Sequence, residues 1–427
     1  MLISIFGVAL LHISLLLSSS PLTRKQLSNQ HNNKFQAPSA KMSSTFNNNN
    51  NSDEDDNDKT LTFHVVGDAY VDFFCFLDGE WPENGGDSRL DQPVKSYAGG
   101  SSTNTATHLK SCLKHFNKSL PPPKVKLHTV LNPQDHYGQL LLEHAEKHEF
   151  PIINCRKEDD TSSTGHCIAI VSGGERSFMT HQGCVGKFSA DDVDMEAIAS
   201  TPSHVHLHVA GFFNIPGFWN DKLKHHLQSI RESRAQGNLS DKNTTISLVT
   251  QHDAGNGWDG GIDEIIPLLD FAIMNHLEAK NIVLRGQRVN GHSVLESDDE
   301  IQNWATYFNS ISPTSNIIVT RGKQGAVVLR GGKVIADQAA VIVKAVDPTG
   351  AGDSFTAGFL HGIWSWKLKG DAKDYTSEWP IEAIEEGLRW GCAMGSSAIM
   401  IRGASVPAEP EVVLKLHEQA LQVAELR

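Results

Sequence analysis

Positive charge is in the minority along this chain. Its 37 lysines and arginines stand against 50 aspartates and glutamates, for a net charge of −13 over 427 residues. A nucleic-acid binder would carry a basic face, so that class is set aside. Cysteine is also scarce, at six: Cys75, Cys112, Cys155, Cys167, Cys184 and Cys392. No two form Cys-x-x-Cys and none falls at zinc-finger spacing, which leaves reduced, buried thiols as the expectation. The apolar run Leu2 to Leu17 is short for a membrane-spanning helix, long for the core of a signal peptide, and has no basic residue before it. The whole chain is 39% apolar and 20% charged, enough to build a sizeable core. The length suits two average domains or one large α/β domain with additions.

The first sixty residues differ from the rest. Ser18 to Asp58 is polar and asparagine-rich, with Asn47 to Asn51 an unbroken tract and an acidic run at Asp53 to Asp58. Such composition cannot offset its ordering entropy by burying apolar surface. Residues 1–60 are therefore read as a targeting segment followed by a disordered tail. Met42 as the true start is a second reading that the residues leave open. Sequons at Asn117, Asn238 and Asn243 matter only if the chain enters the secretory lumen.

Order begins at Leu61. Leu61 to Val66 reads as a strand ending in Gly67-Asp68, and no Gly-x-Gly-x-x-Gly follows it, which excludes a dinucleotide-dependent oxidoreductase of the usual kind. Ser102 to Leu113 has helical spacing, Val125 to Leu131 reads as a strand, and His166 to Thr180 reads as a hairpin about Gly173-Gly174. His204 to Ala210, Thr245 to Thr250, Phe271 to Met274, Asn316 to Thr320 and Ala340 to Val346 are further strand candidates, most separated by helical stretches. His204, His206 and His208 alternate along the first of these, as one face of a strand rather than a metal site. Asn238 to Thr245 and Lys367 to Ser377 look like polar loop insertions. The alternation predicts an α/β fold: a central, mostly parallel sheet with helices on both faces.

One stretch carries most of the functional information: Asp347-Pro348-Thr349-Gly350-Ala351-Gly352-Asp353-Ser354-Phe355-Thr356-Ala357-Gly358. Phe355, Phe359 and Ile363 recur at a spacing of four, so a helix starts here. Three small residues, Gly350, Ala351 and Gly352, then lie at its N-terminus, where backbone N–H groups can approach a phosphate and unsatisfied donors favour an anion. Asp353 stands at the end of this cradle. An anion hole and an acid in one turn suit phosphoryl transfer, one holding developing charge and the other taking the proton of the attacking hydroxyl. No Gly-Lys-Ser/Thr follows, so this is not a Walker A loop. A dry site would raise the Asp353 pKa and the helix N-terminus would lower it.

The stretch resembles the C-terminal signature of the ribokinase-like (PfkB) carbohydrate kinases. Further matches appear upstream in the expected order: Ala98-Gly99-Gly100-Ser101-Ser102-Thr103-Asn104, Asn275-His276-Leu277-Glu278, and Thr320-Arg321-Gly322-Lys323-Gln324-Gly325. Ser-Ser-Thr stands where many relatives carry glycine or alanine. The resemblance spans about Leu61 to near the C-terminus. It implies one kinase domain over 61–427 with a small β-sheet lid from segments at about 73–98 and 161–186, Arg176 among them. Asp353 is then the general base and the Gly350–Asp353 turn the anion hole. Asp72, Gly99, Gly100 and Asn104 hold the acceptor, with Asp68 the rival to Asp72. Thr320, Gly322 and Gly325 lie against the nucleotide. Asn275 and Glu278 position Mg²⁺ through water, and Asp347 and Thr349, with Ile401-Arg402-Gly403-Ala404, form a monovalent-cation (K⁺) site.

ATP and Mg²⁺ are thus the expected cofactors and a sugar of fructose, other ketose or ribose type the expected acceptor. A nucleoside kinase is the alternative, for which Phe212, Phe213 and Phe178 would supply base stacking. A non-catalytic ligand-binding protein of the same fold is the other. The lid edge is a candidate for homodimer pairing. Stable membrane insertion of the kinase domain is not expected, and a need for ATP favours cytoplasm or an organelle.

Overall fold

The computed structural model describes residues 60–117, 121–172, 175–201, 204–235, 244–290, 299–369 and 379–425. The N-terminal segment before Thr60, the sequons at Asn238 and Asn243, and Gly173-Gly174 lie outside these, as does the Arg176 side chain.

The chain opens with β1 (Thr62–Gly67), β2 (Tyr70–Phe76), β3 (Lys95–Gly99), α1 (Ser101–His115), β4 (Lys124–Thr129) and α2 (His136–Lys147). There follow β5 (Ile152–Asn154), β6 (His166–Ser172), β7 (Glu175–His181), the short α3 (Met195–Ala199), β8 (Val205–Ala210) and α4 (Asp221–Ala235). The second half holds β9 (Thr244–Val249), α5 (Ile262–Ile265), β10 (Phe271–Asn275), α6 (His276–Asn290), α7 (Glu300–Ile311) and β11 (Asn316–Thr320). It closes with β12 (Ala326–Arg330), β13 (Lys333–Gln338), α8 (Ala351–Lys369), α9 (Ile381–Ala398) and α10 (Pro410–Glu425).

Nine strands form the main sheet in the order β13-β12-β11-β10-β9-β8-β1-β4-β5. All neighbours from β11 to β5 are parallel, while β12 pairs antiparallel to both β11 and β13. Parallel strands covered on both faces read as continuous apolar runs, and β1, β8 and β9 are buried at every position. Side chains still alternate between faces. Ile273 and Ile318 pack with Phe359 and Ile363 of α8, whereas Ala272, Met274, Ile317 and Val319 pack with α4, α6 and α7. A second sheet, β3-β2-β6-β7, stands apart from the first and is the expected small β-sheet.

Chain order reverses at β1, which has β4 on one side and β8 on the other. In open α/β sheets the crevice at such a reversal, beyond the carboxyl ends of the strands, is where ligands bind. Here those ends are Gly67-Asp68 and Ala210-Gly211.

Three sequence expectations change. Ala340 to Val346 is not a strand, because this β-branched run lines a cavity instead of pairing with an edge. Lys367 belongs to α8 rather than to a loop, and its ammonium lies 4.3 Å above the Trp364 ring. Thr244 and Thr245 are in β9, not in an insertion.

The alternating histidines of β8 are structural. His206 Nδ1 lies 2.7 Å from Thr245 Oγ1 and Nε2 2.8 Å from Ser247 Oγ, while His208 Nδ1 is 2.7 Å from the same Ser247 hydroxyl. Burial holds these and other histidines uncharged. His64, His144, His208 and His361 are pushed down to about 3, and His108 and His128 to about 4. A histidine whose folded pKa is depressed contributes stability that is complete above its unfolded value, near 6.5, and is lost as pH falls below it. By pH 5 each withdraws about 2 kcal/mol. Buried carboxylates with raised pKa act in the opposite sense but are fewer. The thermal midpoint is therefore expected to fall steeply between pH 6.5 and 5, and a midpoint that is level or rising over that range would refute this account.

Candidate active site

Gly99 and Gly100 join β3 to α1, and the backbone explains why both are glycine. A Cβ on Gly99 would lie 2.1 Å from the Asp72 carboxylate, and Gly100 takes φ +89 against the Asp68 carbonyl. The turn brings the start of α1 against the start of α8. There Ser101 Oγ donates to Asp353 Oδ1 at 2.8 Å and Asn104 Nδ2 donates to Oδ2 at 2.8 Å. Gln251, just beyond β9, adds Nε2 to Oδ1 at 3.0 Å. Asp353 is 5% exposed. Burial pushes its carboxyl up to about 7, against the lowering effect of Asn104 and Ser101. Burial thus outweighs the two side-chain hydrogen bonds.

The rivals Asp68 and Asp72 separate clearly. Asp68 faces the scaffold: it accepts from Asn214 Nδ2 at 2.9 Å, its carbonyl accepts from Ser102 Oγ at 2.6 Å, and Gly211 packs on its carboxylate. Burial raises it to about 6. The Asp72 carboxylate accepts no hydrogen bond from the described residues. Burial, then the charges of Asp68, Asp353 and Asp347, raise it to about 7. Asn104 Oδ1 is buried and also lacks a partner among the described residues. Asp72 and Asn104 thus present unused acceptors beside Asp353.

Gly350 adopts φ +76, and a Cβ there would meet Ala404 at 2.7 Å. Gly352 differs, since a Cβ would have nothing within 4 Å. Its open side faces a cavity of about 190 Å³ lined by Gln251, Asn275, Glu278, Thr320, Gly352 and Asp353. Asn275 and Glu278 form a reciprocal cap at the start of α6. Asn275 Oδ1 accepts from Glu278 N at 3.0 Å, and Glu278 Oε2 accepts from Asn275 N at 3.1 Å and from Thr250 Oγ1 at 2.7 Å. Burial raises the Glu278 pKa. Thr320 sits beside Asn275 in the β10–β11 register.

Thr320 and Gly352 also border a larger, mostly apolar cavity of about 440 Å³. Gly322, Gly325, Val341, Val343 and Phe355 contribute to its walls. Gly325 has φ +90, and a Cβ there would strike the Gln338 carbonyl at 1.9 Å. Next to the Gly350–Asp353 turn, Asp347 accepts from Thr349 N at 3.0 Å and from Gly403 N at 3.2 Å. Of the predicted site residues, Asn275, Glu278, Thr320, Gly322, Gly325, Gly350, Ala351, Gly352 and Asp353 line these two adjoining cavities, whereas Asp72, Gly99, Gly100, Asn104, Asp347 and Thr349 line neither. A third cavity, of about 220 Å³, lies away from these carboxylates; its Asp160 pairs with Arg156 and Lys187, and its Asp192 with Lys157.

Ser101, Gln251, Thr250 and Asn214 were not singled out from sequence. Ser101 adjoins the Gly-Gly pair, and Gln251 follows a parallel strand at its carboxyl end, which is a usable signal. Of the aromatics proposed for base stacking, Phe212 and Phe213 are 0% and 4% exposed in the core, and Phe178 is 57% exposed on β7.

A family model described as pfkB family carbohydrate kinase matches residues 62–410. The chain belongs to that family. It is a phosphotransferase of the sugar and nucleoside kinase kind. Adenosine kinase 1 of Arabidopsis thaliana is 25% identical over 262 residues, 60% of this chain and 67% of that one. The Schizosaccharomyces pombe adenosine kinase is 24% identical over 334 residues, 74% and 84%. The chain spans about two thirds of the length of the Arabidopsis adenosine kinases, 67% and 66%. Giardia lamblia ribokinase superposes with a TM-score of 0.64 at 17% identity, covering 84% of this chain and 99% of that one. Arabidopsis thaliana ribokinase complexed with ribose and ATP gives 0.55 at 20%, with the same coverage. These likenesses fix the fold as ribokinase-like. No helix among the described residues is long and apolar enough to cross a membrane.

Proposed function

We propose that this pfkB family member transfers the γ-phosphoryl group of ATP to a hydroxyl of a sugar. The observation that carries the reading is Asp353, a buried carboxylate at a helix N-terminus, standing between unused acceptors on one side and an open glycine-lined cavity on the other. Asp72, Asn104 and the backbone at Gly99 and Gly100 hold the acceptor hydroxyls, because a carboxylate and an amide with free lone pairs accept from a polyol. Asp353 takes the proton. The N–H groups of Gly350 to Asp353 face the transferred group and stabilise its charge. The apolar cavity at Gly322, Gly325 and Val341 takes the adenine.

The oxygen donors at Asn275 and Glu278 fit a hard divalent cation reached through water. Mg²⁺ held there would neutralise phosphate charge. Asp347 and Thr349, with the Gly403 loop, fit a monovalent cation in the same way. Positioning supplies most of the acceleration, because the phosphoryl transition state is loose. β7 lies at an edge of the small sheet with Phe178 and Met179 exposed, which supports pairing between two copies; a single-chain mass in light scattering would exclude it. An ATP-consuming enzyme suits cytoplasm or an organelle, and partition of a tagged full chain into a secreted fraction would count against that.

A second reading, a nucleoside acceptor, is favoured by the adenosine kinases among the relatives. The burial of Phe212 and Phe213 favours the free sugar. A coupled ADP-release assay with Mg-ATP decides between them. Ribose, fructose, other ketoses, deoxy-sugar acids and adenosine are compared, with and without K⁺. One sugar is expected to dominate, with K⁺ raising its rate. Dominance of adenosine overturns the sugar assignment, and silence across the panel without ATP binding overturns the kinase assignment.

A further inference from the structure

Gln251 belongs to none of the family motifs, yet it occupies an unusual place. It has φ +63, in the left-handed region that residues with a side chain rarely adopt. Non-glycine residues persist there where the surrounding structure over-determines them, and such sites cluster at functional centres. The surroundings here do so. Asp253 accepts from Gly255 N at 2.8 Å and Trp258 N at 2.6 Å, closing the loop that follows. Arg285 of α6 donates to the Trp258 carbonyl at 3.0 Å and grips Asp263 through both terminal nitrogens, at 2.8 and 3.1 Å. The loop is thus tied to the helix whose first turn carries Glu278.

Held this way, Gln251 Nε2 lies 3.0 Å from both Asp353 Oδ1 and Ser101 Oγ. A carboxylate oxygen has about two lone-pair sites. Oδ1 receives Ser101 and Gln251, so it is filled, whereas Oδ2 receives Asn104 alone and keeps one site open. We infer that Gln251 is a positioning residue that, with Ser101, saturates Asp353 Oδ1 and so makes Oδ2 the oxygen that takes the acceptor's proton. This rests on the kinase reading with Asp353 as base. In the step, the hydroxyl proton passes to Oδ2 as the acceptor oxygen bonds to the γ-phosphorus, and the bond from that phosphorus to the departing ADP oxygen breaks.

Three carboxylates are electrostatically coupled to Asp353: Asp68 after β1 and Glu278 on α6 raise its pKa, and Asp72 on β2 is raised by it in turn. None supplies a donor to Oδ1, so losing Gln251 leaves Ser101 as its only partner among those described.

The test compares full-length wild type with Gln251→Gly, Gln251→Asn and Asp353→Asn. Glycine suits φ +63, so the loop is kept while the amide is removed. Asparagine tolerates the same backbone with the amide one methylene short. The rate, the affinities for ATP and acceptor, and the pH dependence of kcat/KM are measured. For Gln251→Gly the expected result is a kcat lower by about 10- to 100-fold, with affinities changed little. The acidic limb of the profile should move up by about one pH unit, because a lost donor disfavours the carboxylate. Gln251→Asn should fall between. An unmoved limb with wild-type kcat in both Gln251 variants, while Asp353→Asn is inactive, overturns the Gln251 assignment alone. Retained turnover in Asp353→Asn overturns the base reading itself.

Discussion

Asp353→Asn is expected to fold, to bind ATP and acceptor, and to lose about three to four orders of magnitude in kcat, the share usually carried by a general base together with its alignment. The amide preserves shape, and Ser101, Asn104 and Gln251 surround the side chain closely enough to keep it in place. What it cannot do is accept a proton. The wild-type carboxyl is pushed up to about 7 by burial. A base works only when ionised, so kcat/KM should fall as pH drops through about 7 and level off above it. Neighbouring carboxylates add to the same shift: Asp68 and Glu278 both disfavour ionisation of Asp353. Near-normal turnover in the variant, or a flat profile from pH 6 to 8, contradicts the assignment.

The second large effect is expected at Gly350. Gly350→Ala forces a side chain into φ +76, which costs about 1–2 kcal/mol. It also drives a methyl group to 2.7 Å from Ala404, whose loop closes on Asp347 through the Gly403 N–H. The first turn of α8 must shift, and its N–H groups then point away from the proposed place of the transferred group. Loss of an oxyanion-hole donor typically lowers kcat by about 10²–10³-fold, and that is the expected range, with the acceptor KM little changed. Gly352→Ala is the control. Its methyl meets no protein atom within 4 Å, so folding should be unaffected, while nucleotide affinity falls because the methyl enters the 190 Å³ cavity. Equal kcat in Gly350→Ala and wild type would show that this turn is not an anion hole.

Much of the site was legible because its chemistry needs backbone shapes that few residues supply. Gly99, Gly100, Gly325 and Gly350 each lie where a Cβ would collide or where φ is positive, so their pattern survives as a motif. The main sheet was legible too, since strands buried on both faces leave runs such as Val205–Ala210. The run Ala340 to Val346 misled for the same reason: β-branched residues suit a cavity wall as well as a strand. That Asp68 is tied to the scaffold and the Asp72 carboxylate is not could not be read from sequence, because Asn214 and Gly211, which hold Asp68, are more than 140 positions away. Gln251 is a single residue at a strand end, set by a left-handed backbone that no composition or spacing reveals.

The proposed reaction moves a phosphoryl group from ATP to a sugar hydroxyl, with Asp353 as base. The most direct measurement is mass spectrometry of the acceptor after incubation with Mg-ATP and either wild type or Asp353→Asn. The acceptor is expected to gain one phosphoryl group, mole for mole with ADP formed, in the wild-type reaction only. ADP formed without any phosphorylated acceptor, or equal product from both proteins, would contradict it.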